Sequence, residues 1–357
     1  MKQEKNIFVV KIGSNTLISE NGKVREEVIR NILSVAAEII KKRGRVILVT
    51  SGAVKLGKNS VKGNCPVNIY AGAGQMELFY NYQVQAKKLG LLLAELLLAR
   101  PHLSRRSHFL KFKETLAGFF QKGIVPLINE NDALVAETEW GFGDNDSLAS
   151  SLAIVLKASK LIILSHVDGL YQEDSEKNRN LTVIAEVENV NEELIRHCSG
   201  AVSTGGRGGM VSKLKAIRIC TATGIEVQIV NGLKPDNLKQ ALKGQQVGTI
   251  FKPRRAITEI NDRERWILAA KNSTGSLEVD EGAGVALKKG KSLLAVGVKN
   301  VYGSFQHKEI IEILDAKKQG LAFGIIDFSD VEIKKMMKEN NIYNKQLMHA
   351  DNIIIFE

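Results

Sequence analysis

Five short apolar runs, each ending in small or polar residues, constrain this chain more than any other feature. They are "IFVVKI" before Gly13-Ser14, "RVILV" before Thr50-Ser51-Gly52, and "IVPLI" before Asn129 to Asp132. The last two are "LIILS", leading into His166, and "EVQIV" before Asn231-Gly232. Such runs, bounded by turn-forming residues, read as buried strands. Helical patterns lie between them. In "EEVIRNILSVAAEIIKKRG", Val28, Ile32, Val35, Ala36 and Ile39 keep helical spacing, and Gly44 stands where a C-terminal capping glycine belongs. "DSLASSLAIVLKAS" puts Leu148, Leu152, Val155 and Leu156 on one side, with Asn145 or Asp146 as N-cap. Strand, helix, strand means an α/β fold, a mainly parallel sheet covered on both faces. Ligands of such sheets sit outside the carboxyl ends of the strands. That is where this chain gathers its glycines, serines and Asx residues.

At 357 residues, two domains are expected. The texture changes near Lys252. Residues 1–252 read as the α/β domain, 253–264 as a linker, and 265–357 as a small, mostly β module with glycine turns. Three cysteines without a CxxC pair argue against a disulfide scaffold or a zinc site and suit a reducing cytoplasm. The N-terminal apolar run is too short for a signal peptide. "LGLLLAELLLA", interrupted by Glu95, is too short to cross a bilayer; its Leu91–Leu98 stripe reads as core or an oligomer contact. A soluble, cytoplasmic protein without a membrane partner is the expectation.

The formal charge of +11 invites a nucleic-acid reading, but its distribution disfavours one. From Arg265 onward 13 basic residues meet 12 acidic ones, so residues 1–264 carry +10 of the charge. An anionic substrate such as a nucleotide suits that excess equally well. "RRSHFLKFK" is most simply a solvated helix face. The six histidines form no HxH or HExxH pattern, and no metal ligand is assigned among them.

Lys11 lies inside an apolar strand, so its ammonium must either reach water or meet an anion. Gly13 beside it allows close approach of backbone N–H groups to a phosphate. "TSGA", with Ser51 and Gly52, repeats the arrangement at the second strand end. "INEND" and "FGDNDSLAS" bring Asn129, Asp132, Asn145 and Asp146 together in two Asx-rich loops, a composition suited to a zwitterion. "GGRGGMVSK", Gly205 to Lys213, is either a flexible glycine loop or a phosphate cradle with a lysine behind it. It is not a P-loop, which needs Gly-Lys-Ser/Thr after four residues.

In order, "VVKIGS", "VTSGA", "AGAGQ", "VPLINEND", "FGDNDSL", "VDGLY" and "GGMVSKLKA" resemble the glutamate 5-kinase family, a branch of the amino acid kinases, over nearly the whole chain. "EVDEGAGVAL" and "FGIIDFSDVEIKKM" are similar to the PUA domain that many of these kinases carry. The resemblance implies a three-layer α/β/α sandwich with a small PUA domain. It implies transfer of the ATP γ-phosphoryl group to the L-glutamate side chain, giving γ-glutamyl phosphate on the way to proline, with Mg2+ on the phosphates. Lys11 and Lys213 would stabilise the transferring group, and Asp146 would orient both. Ser51, Gly52, Asn129, Asp132 and Asn145 would bind glutamate. Lys11, Gly13, Ser165, His166 and Arg207, Gly208, Gly209, Met210, Val211, Ser212, Lys213 would line the ATP site. Inhibition by L-proline, a homodimer or homotetramer, and a γ-glutamyl phosphate reductase that takes up the product are further implications. Arg207 stands where the family has threonine, and His166 where it has aspartate. The competing readings are another carboxylate kinase of the same fold, an RNA-binding PUA protein with a degenerate kinase domain, and an inactive sensor.

Overall fold

The computed structural model describes residues 6–136, 141–172, 182–198, 209–254, 260–269, 275–338 and 345–355. Two compact units emerge, Met1–Glu259 and Ile260–Glu357. The strands of the first are β1 (Ile7–Ile12), β2 (Arg45–Val49), β3 (Leu93–Leu98), β4 (Val125–Glu130), β5 (Lys160–Ser165), β6 (Tyr171–Gln172), β7 (Thr182–Val183), β8 (Glu186–Val187), β9 (Glu226–Asn231) and β10 (Thr249–Phe251). Eight of them form one sheet in the order β3-β4-β2-β1-β5-β9-β10-β8, while β6 pairs with β7. Pairing is parallel from β3 through β9, and β10 runs antiparallel to β9.

The helices are α1 (Ser14–Leu17), α2 (Glu26–Lys41), α3 (Ala53–Ser60), α4 (Val67–Lys88), α5 (Pro101–Ser104), α6 (Arg106–Gln121), α7 (Asp132–Val135), α8 (Asn145–Val155), α9 (Glu192–His197), α10 (Met210–Ala222) and α11 (Asn237–Leu242). The central strands β4 and β5 are buried along their whole length, as expected of parallel strands covered on both faces. Val10, Ile12, Val46, Leu48, Ile162 and Leu164 share one core with the apolar faces of α2, α4 and α11. On α2 that face is Val28, Ile29, Ile32, Leu33, Val35 and Ala36, with Glu26 and Glu27 at the N-terminal end and Lys41 at the C-terminal end, matching the helix dipole. Helices α8 and α10 pack on each other and on β1, β5 and β9, completing three layers.

Two local expectations need correction. The left-handed residue after α2 is Arg43 (φ 59°), not Gly44; Gly44 instead donates its N–H to Ile39. The N-cap of α8 is Asp144, whose side chain accepts from Ser147 N at 2.7 Å, rather than Asn145 or Asp146. The Leu91–Leu98 stripe, expected as core or an oligomer contact, is largely β3, the edge strand of the sheet; Leu91 and Leu93 pack against the core and Leu98 is buried.

Helices α3 and α4 cross at contact distance because each carries a glycine there. A Cβ on Gly57 would stand 1.8 Å from Tyr70 O, and one on Gly74 1.9 Å from Ala53 O. Gly57→Ala is therefore expected to destabilise the protein by about 1–3 kcal/mol or more through overpacking. Urea denaturation checks this; an unchanged midpoint contradicts it. The "AGAGQ" segment thus serves packing at Gly74 and, one residue later, the site.

The second unit has α12 (Asp262–Ala269), α13 (Glu281–Lys288) and α14 (Asp330–Lys338) around a sheet ordered β13-β11-β14-β15-β17. Its strands are β11 (Gly275–Val279), β12 (Leu293–Leu294), β13 (Val298–Gly303), β14 (Ile310–Leu314), β15 (Gly320–Ile325), β16 (Gln346–Met348) and β17 (Ile353–Ile355), with β12 paired to β16. Its core, including Leu277, Val279, Ile311, Ile313, Leu321 and Ile333, is its own.

Candidate active site

The carboxyl ends of β1, β2, β4 and β5 carry Lys11, Ser51, Asn129 and Ser165. Lys11 is 5% exposed and points its ammonium at Asp146, Nζ to Oδ1 2.8 Å. Lys213, one turn into α10, approaches the other oxygen, Nζ to Oδ2 3.1 Å. Three residues spread over more than 200 positions thus form one triad, Lys11 and Asp146 buried and Lys213 half-buried. Burial alone would push the Asp146 carboxyl up. The ammonium groups of Lys11 and Lys213 overcome it and hold the carboxyl below its ordinary range. Asp146 keeps two like charges at a fixed separation, ready for an anion placed before them.

Asp144 ties the same helices together. It caps α8 through Ser147 N and accepts from the Ser212 hydroxyl with its other oxygen. Gly209 is the N-cap residue of α10, and its carbonyl accepts from Lys213 N at 3.2 Å; Met210, Val211 and Ser212 are the half-buried first turn. Arg207 and Gly208 lie outside the described residues. Gly13 donates its N–H to Leu164 O at 3.0 Å. What the glycine offers is clearance, since a Cβ there would lie 3.3 Å from Leu164 O and 3.9 Å from Lys11 Nζ.

A cavity of about 430 Å³ opens beside the triad, lined among others by Ser14, Ser51, Gly52, Lys55, Asp132 and Asn145. The Ser51 hydroxyl donates to Ile12 O at 2.7 Å, and Gly52 is left-handed (φ 113°) at the N-cap of α3. A Cβ on Gly52 would also meet Ile18 Cδ1 at 2.6 Å, so both conformation and space require glycine. A larger cavity, about 600 Å³, lies far from the triad at the amino ends of the strands, beside Asn6, Arg43 and Lys239.

Asn129 organises the polar wall. Its amide donates to Gln75 Oε1 at 2.9 Å, and its Oδ1 accepts from Asn145 Nδ2 at 3.0 Å and from Glu130 N at 3.0 Å. Gln75 reaches the site from α4, a role that no local pattern in "AGAGQ" announces. Glu130 is the second residue missed. It is buried, lines the cavity, and accepts from Phe142 N, while Arg100 holds Gly141 O from the other side, Nη2 to O 2.7 Å. Burial, then repulsion from Asp132, raises the Glu130 carboxyl to about 7. The folded carboxyl therefore keeps its proton up to about pH 7, whereas the unfolded one releases it near 4.3. The folded state holds the extra proton in that window, so Glu130 makes stability fall as pH rises through it. Glu130→Gln, which keeps an acceptor for Phe142 N, is expected to stabilise the protein by about 2–3 kcal/mol at pH 8.5 and by far less at pH 5. Denaturation at the two pH values checks this; equal effects at both contradict it.

On the far side, Ser165 ends β5 and accepts from Gly232 N at 2.8 Å. Exposed His166 follows it. Partial burial, then the fields of Lys213, Lys55 and Arg25, hold its imidazole below the ordinary value. Asp168 of "VDGLY" is held by Asn231 Nδ2 at 3.0 Å and by Lys234 Nζ at 2.6 Å. The structure thus brings together Lys11, Gly13, Ser51, Gly52, Asn129, Asp132, Asn145, Asp146, Ser165, His166, Gly209, Met210, Val211, Ser212 and Lys213. Chemically the arrangement offers fixed cations and amides without a Ser-His-Asp set, which suits transfer of an anionic group by positioning and charge stabilisation.

Comparison with known proteins bears on the family and the fold. The amino acid kinase family pattern matches residues 6–231, and the PUA domain pattern residues 275–348. The chain is 34% identical to a glutamate 5-kinase of Pelagibacter ubique over 367 residues, covering 99% of both chains. It is 34% identical to one from Caldanaerobacter subterraneus over 366 residues, covering 98% of both. Among solved structures, an isopentenyl phosphate kinase substrate complex matches with TM-score 0.50 at 15% identity, covering 69% of this chain and all of that one. The UMP kinase of Bacillus anthracis matches with TM-score 0.50 at 13% identity, covering 70% and 97%. Those two likenesses concern the fold alone. The family pattern spans well over half the chain and the relatives span nearly all of it. The chain belongs to the amino acid kinase family, in the branch of its glutamate 5-kinase relatives, and carries a PUA domain.

Proposed function

We propose that this chain transfers the γ-phosphoryl group of ATP to the side-chain carboxylate of L-glutamate, producing γ-glutamyl phosphate, the first step of proline biosynthesis. The observation that carries the mechanism is the Lys11–Asp146–Lys213 triad beside a cavity with amide and carboxylate walls. A glutamate side chain, with a pKa of about 4.3, is already ionised at neutral pH. Its nucleophilic oxygen needs no general base. The protein's task is to align that oxygen with the γ-phosphorus and to neutralise the charge on the moving phosphoryl group. Lys11 and Lys213 do the second, at a spacing set by Asp146. Ser51, Gly52, Asn129, Asp132 and Asn145 do the first, with Asp132 taking the substrate ammonium.

ATP is assigned to the side of Lys11, Gly13, Ser165, His166 and residues 207–213, with the kinase reading placed on residues 1–252. Magnesium would enter with the nucleotide rather than be held in a site built by the protein. Among the described residues no group of three or more potential ligands is gathered for a protein-built cage, and Mg2+ is ordinarily held by few carboxylates plus substrate phosphates. Bound there, the ion neutralises phosphate charge. A cytoplasmic location, inhibition by L-proline, a homodimeric or homotetrameric assembly and a reductase that consumes the labile product belong to the reading on the strength of the family resemblance.

The reading is tested by following ADP release with Mg-ATP and, separately, L-glutamate, L-aspartate and N-acetylglutamate. Release stimulated by glutamate alone is expected. Stimulation by another acid instead overturns the substrate assignment and leaves the fold and the triad in place.

A further inference from the structure

We propose that Arg25 and Lys55 form a second cationic clamp for the terminal phosphates of the nucleotide, in addition to Lys11 and Lys213. The proposal rests on the ATP-dependent reading above. Both cations converge on the turn that follows β1. Arg25 Nη1 donates to Asn15 O at 2.8 Å and to Thr16 O at 3.2 Å. Lys55 Nζ reaches Ile18 O at 3.3 Å and Asn15 Oδ1 at 3.5 Å, the long end of hydrogen bonding. Among the described residues, the hydrogen-bond partners of both are neutral oxygens. Both side chains are half-buried, and Lys55 lines the cavity together with Ser14, Ser51 and Gly52.

Two half-buried cations side by side without an acid between them repel each other. Burial, then Arg25, lowers the Lys55 ammonium, while exposed Glu20 acts weakly the other way. The same neighbourhood holds Lys58 in the cavity wall and His166, whose imidazole feels Lys213, Lys55 and Arg25 together. Lys213 shares Asp146 with Lys11, and Glu130, Asp132 and Asp144 also line the cavity that Lys55 faces. Among the described residues, no carboxylate lies within ion-pair distance of Arg25 or Lys55. A single carboxylate carries one negative charge against these two cations; a polyphosphate carries enough to match both, and a charge-assisted contact to each is of the strong kind. Neither residue is part of the motifs that give the chain its family resemblance.

The test is calorimetric titration of the full chain, without glutamate, with ATP, AMP and inorganic tripolyphosphate, for wild type, Lys55→Met, Lys55→Arg, Arg25→Met and Arg25→Lys. Each methionine variant is expected to bind ATP and tripolyphosphate about tenfold more weakly. AMP affinity stays unchanged, and Lys55→Arg and Arg25→Lys recover most of the loss. Because Arg25 also braces the turn, Arg25→Met is open to misfolding, and Lys55→Met with Arg25→Lys decides in that event. Unchanged ATP binding in Lys55→Met overturns the clamp and leaves the kinase reading intact. So does an equal loss for AMP and ATP, or a rise in the glutamate KM with ATP binding unaltered, which would give Lys55 to the amino acid. A wild-type chain that binds no adenine nucleotide overturns both.

Discussion

Replacing Asp146 by alanine is expected to destabilise the fold by about 3–5 kcal/mol, because it leaves the buried Lys11 and the half-buried Lys213 facing each other without the carboxylate between them. Asp146 is 1% exposed and lies 2.8 Å from Lys11 Nζ and 3.1 Å from Lys213 Nζ. Turnover should fall with it, since the lysines lose the group that fixes their separation. The double variant Asp146→Ala/Lys213→Met removes one of the stranded charges and is expected to recover part of the stability without recovering activity. Thermal and urea denaturation, read beside kcat, separate the two effects. A stable, inactive Asp146→Ala would mean that the carboxylate serves the chemistry alone; a stable, active one would remove it from the site.

The second large effect is on the lysines themselves. Lys11→Ala or Lys213→Ala is expected to lower kcat by roughly 10²–10³, as for loss of one preorganised donor to a developing anion. The KM for glutamate should move much less, because neither lysine is assigned to the amino acid. The two losses should not add in the double variant, since both cations act on one phosphoryl group and share one carboxylate. Near wild-type turnover in either single variant would sink the assigned roles.

Much of this was readable from the sequence, and the reasons are specific. The strand ends at Lys11, Ser51, Asn129 and Ser165 were legible because a buried parallel strand leaves an apolar run with an abrupt polar stop. The Lys11–Asp146–Lys213 set was legible through the ordered motifs of the family, not through spacing, since nothing local says that positions 11, 146 and 213 meet. The miss at the α8 N-cap came from "GDND", where three consecutive residues are all good caps and only the backbone chooses among them. Gly44 attracted the capping role because glycine ordinarily takes it, yet Arg43 occupies the left-handed position. "LGLLLAELLLA" hid an edge strand because a short leucine-rich run does not distinguish strand from helix. Gln75, Glu130, Arg25 and Lys55 were invisible for a different reason. Each contacts a residue of another element, and a single sequence carries no signal for such a contact. The raised Glu130 carboxyl follows from burial and from Asp132 two residues on; only the second is printed in the sequence.

The central claim is that an acyl phosphate forms on the glutamate side chain before this triad. The most direct measurement is to incubate the full chain with Mg-ATP, L-glutamate and hydroxylamine and to assay the γ-glutamyl hydroxamate, with Lys213→Ala as the control. The account predicts hydroxamate from the wild type, dependent on both ATP and glutamate, and roughly 10²–10³-fold less from the variant. ADP release without hydroxamate, or equal hydroxamate from the variant, would contradict it.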